Sequence, residues 1–152
     1  EFVQDRRDLP RHGKILLERS GKPARLERHH AVTGVDGQAV YRFWILARHN
    51  LDLGVTACVL TMGGEGVFFA HVDGTRLHAP AYDIEIVDTT GCGDAFDAGF
   101  IAALHHGMDL ETGLRFAQAA AGLVAGGLGS DAGNVSYQHT IECMKTWNIK
   151  RG

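Results

Sequence analysis

The sequence predicts an α/β protein in which helices pack on a sheet. Three observations carry that expectation. Short apolar runs rich in β-branched residues recur between positions 55 and 87. Asp73-Gly74 divides two of them as a hairpin turn does. A pair of helical patterns then follows, with apolar residues at spacings of three and four.

Residues 1–37 carry charge, Gly and Pro with few apolar side chains. They read as weakly structured, apart from a short ordered run over 14–18. Ala39, Val40, Phe43, Trp44 and Ala47 recur as on one helix face, which predicts a helix over 38–48. Val55–Leu60 is β-branched and largely apolar, which reads as a buried strand. Gly63–Gly66 is a Gly-rich turn. Val67–Val72 and Thr75–Ala79 are expected to pair across Asp73-Gly74, and Ile84–Val87 is expected as a further short strand.

The helical part begins after Asp88-Thr89-Thr90-Gly91-Cys92-Gly93-Asp94. A helix is expected over 95–106, with Phe96, Gly99, Phe100 and Ala103 on one face and Gly107 ending it. Asp109 is a candidate N-cap for a second helix to about residue 125. Its Ala119-Ala120-Ala121-Gly122 run lets another backbone approach closely. A Gly-rich loop covers 126–133. A closing helix is expected over 140–147, capped by Ser136 or by His139-Thr140.

Composition narrows the function classes. The 152 residues are 45% hydrophobic and 22% charged. That is enough chain to bury a core without disulfides, though too little for two full domains. No repeat, heptad or low-complexity tract argues for a fibrous or disordered protein. The longest low-charge stretch, 116–130, is too short to span a bilayer, and no signal-peptide pattern is present. The first residue is Glu, so the start reads as a fragment edge or a processed end.

Cys58, Cys92 and Cys143 are odd in number and widely spaced, which points to a reducing, cytoplasmic setting. Without a CxxC pair a structural zinc site is not expected. Residues 1–49 hold 10 Lys/Arg against 6 Asp/Glu; residues 50–152 hold 5 against 12. The basic third has scattered charges without interleaved aromatics, so nucleic acid is not an expected partner, nor is a membrane.

The chemistry is expected between residues 87 and 100. The first N–H groups of a helix lack intrahelical acceptors, and the helix dipole adds positive charge there. Glycines on both sides of Cys92 let a ligand reach the backbone. Together these make an anion cradle suited to phosphate. A carboxylate at its rim, Asp94, makes sense if it accepts the proton of a hydroxyl that attacks the phosphate. The competing reading is plain turn chemistry, with Asp94 serving only the helix dipole.

The string Asp88-Thr89-Thr90-Gly91-Cys92-Gly93-Asp94-Ala95-Phe96-Asp97-Ala98-Gly99-Phe100 resembles the C-terminal signature of the ribokinase-like (PfkB) carbohydrate kinases, with Cys92 in place of the usual small Ala. Leu60-Thr61-Met62-Gly63-Gly64-Glu65-Gly66-Val67 resembles that family's T-x-G-x-x-G strand-end turn. Residues 117–121 and the loop 126–133 resemble the helix and loop that close over the nucleotide base.

The resemblance implies the C-terminal half of a three-layer α/β/α sandwich with an incomplete sheet, over residues 38–152. It implies ATP-dependent phosphorylation of a hydroxyl on a sugar or small polyol. Asp94 would be the base, and Gly91, Cys92 and Gly93 the anion hole. Thr61, Gly63 and Gly66 would touch the nucleotide, with Mg²⁺ bridging its phosphates. Asp88 and the Thr90 carbonyl match positions that hold a monovalent cation, K⁺, in some members. The alternative for Asp88 is a carboxylate that fixes the turn through backbone N–H groups.

The sequence also departs from the family in its length and in one motif. Members are considerably longer, and their N-x-x-E motif should lie just before Thr33-Gly34. Leu26, Glu27, Arg28, His29 and His30 stand there instead. A truncated, non-catalytic nucleotide-binding remnant is therefore the second reading. An incomplete sheet exposes edges and apolar surface, so self-association is expected.

Other motifs read as structure. Phe96 is too bulky for the last position of a dinucleotide fingerprint, and no Gly-Lys-Ser/Thr P-loop exists. The adjacent pairs His29-His30 and His105-His106 do not share a helix face, which favours solvated positions over metal ligands. Cys92 sits at a helix N-terminus, where a thiol pKa tends to fall. Trp44 and Trp147 read as packing.

Overall fold

A computed structural model of the chain describes residues 14–17, 37–133 and 135–150. In chain order its elements are β1 (Lys14–Leu17), α1 (Gly37–Asp52), β2 (Ala57–Thr61), β3 (Val67–His71), β4 (Arg76–Ala79), α2 (Cys92–His105), α3 (Leu110–Ala125) and α4 (Tyr137–Thr146). The four strands form one antiparallel sheet in the order β1-β2-β3-β4. Apart from β1, the expectations for 1–37 and the pair His29-His30 fall outside the described residues.

Alternation along the strands builds three layers. Cys58, Leu60, Phe68 and Ala70 point to one face, where Phe43, Leu46 and Ala47 of α1 cover them. Ala57, Val59, Val67, Phe69 and Ala79 point to the other, against Phe96, Phe100, Leu114 and Ala117 of α2 and α3. Both faces are covered, so β2 reads as a continuous apolar run although its pairing is antiparallel. In the β3–β4 turn Gly74 takes φ +93°, and the Asp73 carboxylate accepts from Thr75 N at 2.8 Å. The expected helix α3 is present, and the Asp109 side chain accepts from Thr112 N at its N-cap.

Three expectations need correction. Ile84–Val87 is not a strand. The amides of Val87 and Asp88 instead both donate to Ala125 O at the end of α3, at 2.8 and 3.3 Å. α2 begins at Cys92 rather than Ala95, because Gly91 adopts the left-handed conformation (φ +79°) and turns the chain directly into the helix. α4 begins at Tyr137, with Ser136 Oγ accepting from His139 N at 3.3 Å.

Candidate active site

The N-terminus of α2 separates two concavities. On one side lies a cleft of about 460 Å³. Thr61, Gly63, Gly64 and Gly66 from the turn after β2 line it. So do Cys92 and Gly93 of α2 and Gln118, Ala121, Gly122 and Ala125 of α3. On the other side lies a hollow of about 570 Å³ lined by Gly91, Asp94, Ala95, Ser130, Ser136 and Tyr137, among others. Thr61, Gly63, Gly66, Cys92 and Gly93 thus share one cleft. Gly91 and Asp94 face the neighbouring one.

The turn after β2 is built for close approach. Met62 N donates to Gly66 O (2.8 Å) and Gly66 N to Gly63 O (3.0 Å). Gly66 has φ +99°, and a Cβ there would run into the Ala79 carbonyl, so no other residue fits. The Glu65 carbonyl lies 2.8 Å from His78 Nε2 and ties the turn to β4.

The α2 N-terminus is equally specific. A Cβ on Gly91 would sit 2.7 Å from Ser130 Cβ, and its positive φ already favours glycine. Gly93 opens on free space, with nothing within 4 Å of a Cβ built there. Cys92 N donates to Thr89 O at 3.3 Å. The freest first-turn amides are therefore those of Gly93 and Asp94, which follow it. Asp94 is exposed, in the first turn of the helix. Asp97, one turn on, is half-buried, and burial followed by the Asp94 charge pushes its carboxyl up.

Asp88 is occupied as a turn brace. Oδ1 accepts from Thr90 N (3.0 Å) and Thr90 Oγ1 (2.9 Å), and Oδ2 accepts from Gly129 N (3.0 Å). Those backbone hydrogen bonds, Thr90's first, hold its carboxyl below the usual range. This joins the signature to the loop after α3. The Cys92 thiol does not gain acidity from the helix end: burial pushes its pKa up, and the Asp88 charge adds to that. Among the described residues no group of three His, Cys, Asp or Glu side chains could hold a metal ion. His105 and His106 are exposed, and the His106 ring lies 4.2 Å from that of Tyr137.

Sequence reasoning missed several residues of the cleft. Gln118 is 9% exposed; its Nε2 donates to Ala79 O at 2.8 Å, while Oε1 has no partner. Tyr82 is 8% exposed and also lines the cleft, with its hydroxyl unpaired. A polar residue inside an Ala run was the one available signal for Gln118. Tyr82 offered none. Trp147 packs edge-on to Tyr82 (5.7 Å), and Arg76 lies 3.3 Å over the Trp44 ring.

Comparison with known proteins places this geometry. The profile of the pfkB family carbohydrate kinases matches residues 45–136. The ribokinase of Bacillus subtilis is 40% identical over 85 residues, 56% of this chain and 29% of that protein. The bifunctional protein HldE of Rhodospirillum rubrum is 34% identical over 120 residues, 78% of this chain and 22% of that protein. Among solved structures, the ribokinase of Thermotoga maritima superposes with a TM-score of 0.62 at 29% identity, covering 66% of this chain and 33% of that one. A protein assigned as ribokinase II of E. coli, solved with ATP and Mg²⁺, gives 0.60 at 26% identity, covering 64% and 32%. The chain spans about a third or less of the length of these relatives. No described helix is long and apolar enough to cross a membrane. The match over residues 45–136, with a sheet and helices of the ribokinase fold, makes this chain a member of the pfkB family of carbohydrate kinases.

Proposed function

We propose that this segment carries the phosphoryl-transfer centre of an ATP-dependent kinase acting on a hydroxyl of a sugar or small polyol. One observation carries the reading. The amides that open α2 stand between a cleft shaped by the Thr61–Gly66 turn and a hollow that holds Asp94. The nucleotide takes the cleft. Thr61, Gly63 and Gly66 lie along it, and α3 borders the base through Gln118, Ala121, Gly122 and Ala125; the loop 126–133, expected to close over the base, lines the hollow instead through residues 130–133. The acceptor takes the hollow.

Asp94 accepts the acceptor hydroxyl's proton, and the freed oxygen attacks the γ-phosphorus. The bond from that phosphorus to the leaving nucleoside diphosphate breaks. The backbone of Gly91, Cys92 and Gly93 at the α2 N-terminus receives the charge of the moving phosphoryl group, with the amide of Gly93 free to donate while that of Cys92 is shared with Thr89 O. Mg²⁺, bound with the nucleotide, would neutralise the charge of its phosphates. Asp88 and the Thr90 carbonyl would hold K⁺, the Asp88 carboxyl being held below the usual range by its amide donors.

The second reading is a nucleotide-binding remnant without turnover. Thermal melts with and without Mg-ATP, run beside a turnover assay on a panel of sugars, separate the two. Stabilisation with turnover supports the kinase. Stabilisation without turnover on any sugar supports the remnant, and neither signal refutes both. The protein is also expected to self-associate through its exposed apolar surface, in a cytoplasmic setting, with sugar and nucleotide rather than nucleic acid or membrane as partners.

A further inference from the structure

Residues 147–150 lie beyond the stretch that matches the family, yet they meet the cleft at several points. Asp83 N donates to Asn148 O (2.9 Å) and Lys150 N to Ala81 O (2.8 Å). These bonds flank an antiparallel pair, Tyr82 with Ile149. Trp147 packs on Tyr82 and against Gly122, where a Cβ would come within 2.7 Å of its ring. Lys150 then crosses to the opposite wall: Nζ donates to Gly64 O at 3.2 Å and lies 3.8 Å from Glu65 Oε1. Ala81, Tyr82, Gly122 and Gly64 all line the cleft.

A short stretch of backbone thus fastens one wall, and a single side chain fastens the other to it. Among the described residues the lining carries no Lys or Arg, and Lys150 brings positive charge to this rim. The ion pair with Glu65 is half-exposed and contributes little by itself. What Lys150 supplies is position: it holds the Gly63–Glu65 turn at a fixed distance from the 81–84 wall.

We infer that residues 147–150 form a strap across the nucleotide cleft, and that Lys150 is a positioning residue that sets nucleotide affinity by pinning the Gly63–Glu65 turn. The inference rests on the cleft being the nucleotide site. Phosphoryl transfer at Asp94 lies in the other concavity, so the strap acts on binding and not on the chemical step.

The test is calorimetric titration of the full chain with Mg-ATP, together with amide hydrogen exchange at Glu65 and Gly66, for wild type, Lys150→Met and Lys150→Arg. Lys150→Met is expected to raise the ATP dissociation constant about three- to tenfold, the range for one lost hydrogen bond. It is also expected to speed exchange at Glu65 and Gly66. Lys150→Arg, which keeps charge and reach, restores both. A Lys150→Met protein that binds ATP as wild type does, with unchanged exchange, overturns the inference. If wild type takes up no ATP, the nucleotide reading and the affinity role fall together. Faster exchange in Lys150→Met would then mark that case apart from failure of the strap itself.

Discussion

Gly91 is the residue on which the α2 N-terminus turns. Its φ of +79° starts the helix at Cys92, and Ser130 stands where a side chain would go. Gly91→Ala combines a strained backbone with a steric conflict against the loop after α3. The expected cost is about 1–3 kcal/mol, read by chemical denaturation, together with loss of Mg-ATP stabilisation. A variant that melts with wild type would show that the loop yields freely.

Asp97 makes a prediction about pH. Burial first, then the Asp94 charge, raise its carboxyl above the ordinary 3.8. A carboxyl raised on folding penalises the native state when ionised. The penalty is absent below the unfolded value and complete above the folded one. Asp97→Asn is therefore expected to raise the melting temperature at about pH 7 and to leave it unchanged at about pH 3. Asp88 behaves oppositely. Its carboxyl is lowered by the Thr90 and Gly129 amides, so its stabilisation is present above 3.8 and lost as pH falls through the folded value. Paired melts of Asp88→Ala and wild type should differ at neutral pH and converge in acid.

At the scale of elements, α2 and α3 pack through small residues. Gly99 of α2 faces Ala117 and Ala120 of α3, where a Cβ would sit 3.0 Å from Ala117 Cα and from Ala120 Cβ. Gly99→Val would force the helices apart, at an expected 1–3 kcal/mol or about that range in denaturation. At α4 the Ser136 cap is local: Ser136→Ala should cost about 1 kcal/mol and Ser136→Gly much less.

The same scale shows what was legible in the sequence. The β3–β4 hairpin and α3 announced themselves because Asp73-Gly74 and Asp109 act on residues only two or three positions away. The start of α2 was read three residues late, since Gly91-Cys92-Gly93 looks like loop until the sign of φ at Gly91 is known. Ile84–Val87 carried a strand's composition, yet its amides found Ala125, on another element. Gln118 bonds a carbonyl 39 residues away and Lys150 one 86 residues away. No local pattern encodes such partners. The sequence offered Thr61, Gly63 and Gly66 as one group and Gly91, Cys92, Gly93 and Asp94 as another; that Cys92 and Gly93 share the first group's cleft while Gly91 and Asp94 face the other concavity was not legible.

For the whole molecule, the notable feature is apolar surface left open. Ile101 of α2 is 64% exposed, Leu128 83% and Val87 57%, with Leu104 and Ile86 also exposed. On α2, Ile101 and Leu104 stand outside the buried face made by Phe96, Gly99, Phe100 and Ala103. Patches of this kind drive association. Sedimentation velocity is expected to show self-association that grows with protein concentration, and Ile101→Glu is expected to reduce it. A monodisperse monomer across the accessible range would contradict that expectation.

The most direct test of the central claim is ATP-dependent sugar phosphorylation by the protein carrying Asp94→Asn, measured beside its ATP dissociation constant. Turnover should fall by about 10²–10⁴-fold, the usual contribution of a general base, while ATP binding changes little. Turnover within about tenfold of the unmodified enzyme would show that Asp94 is not the base.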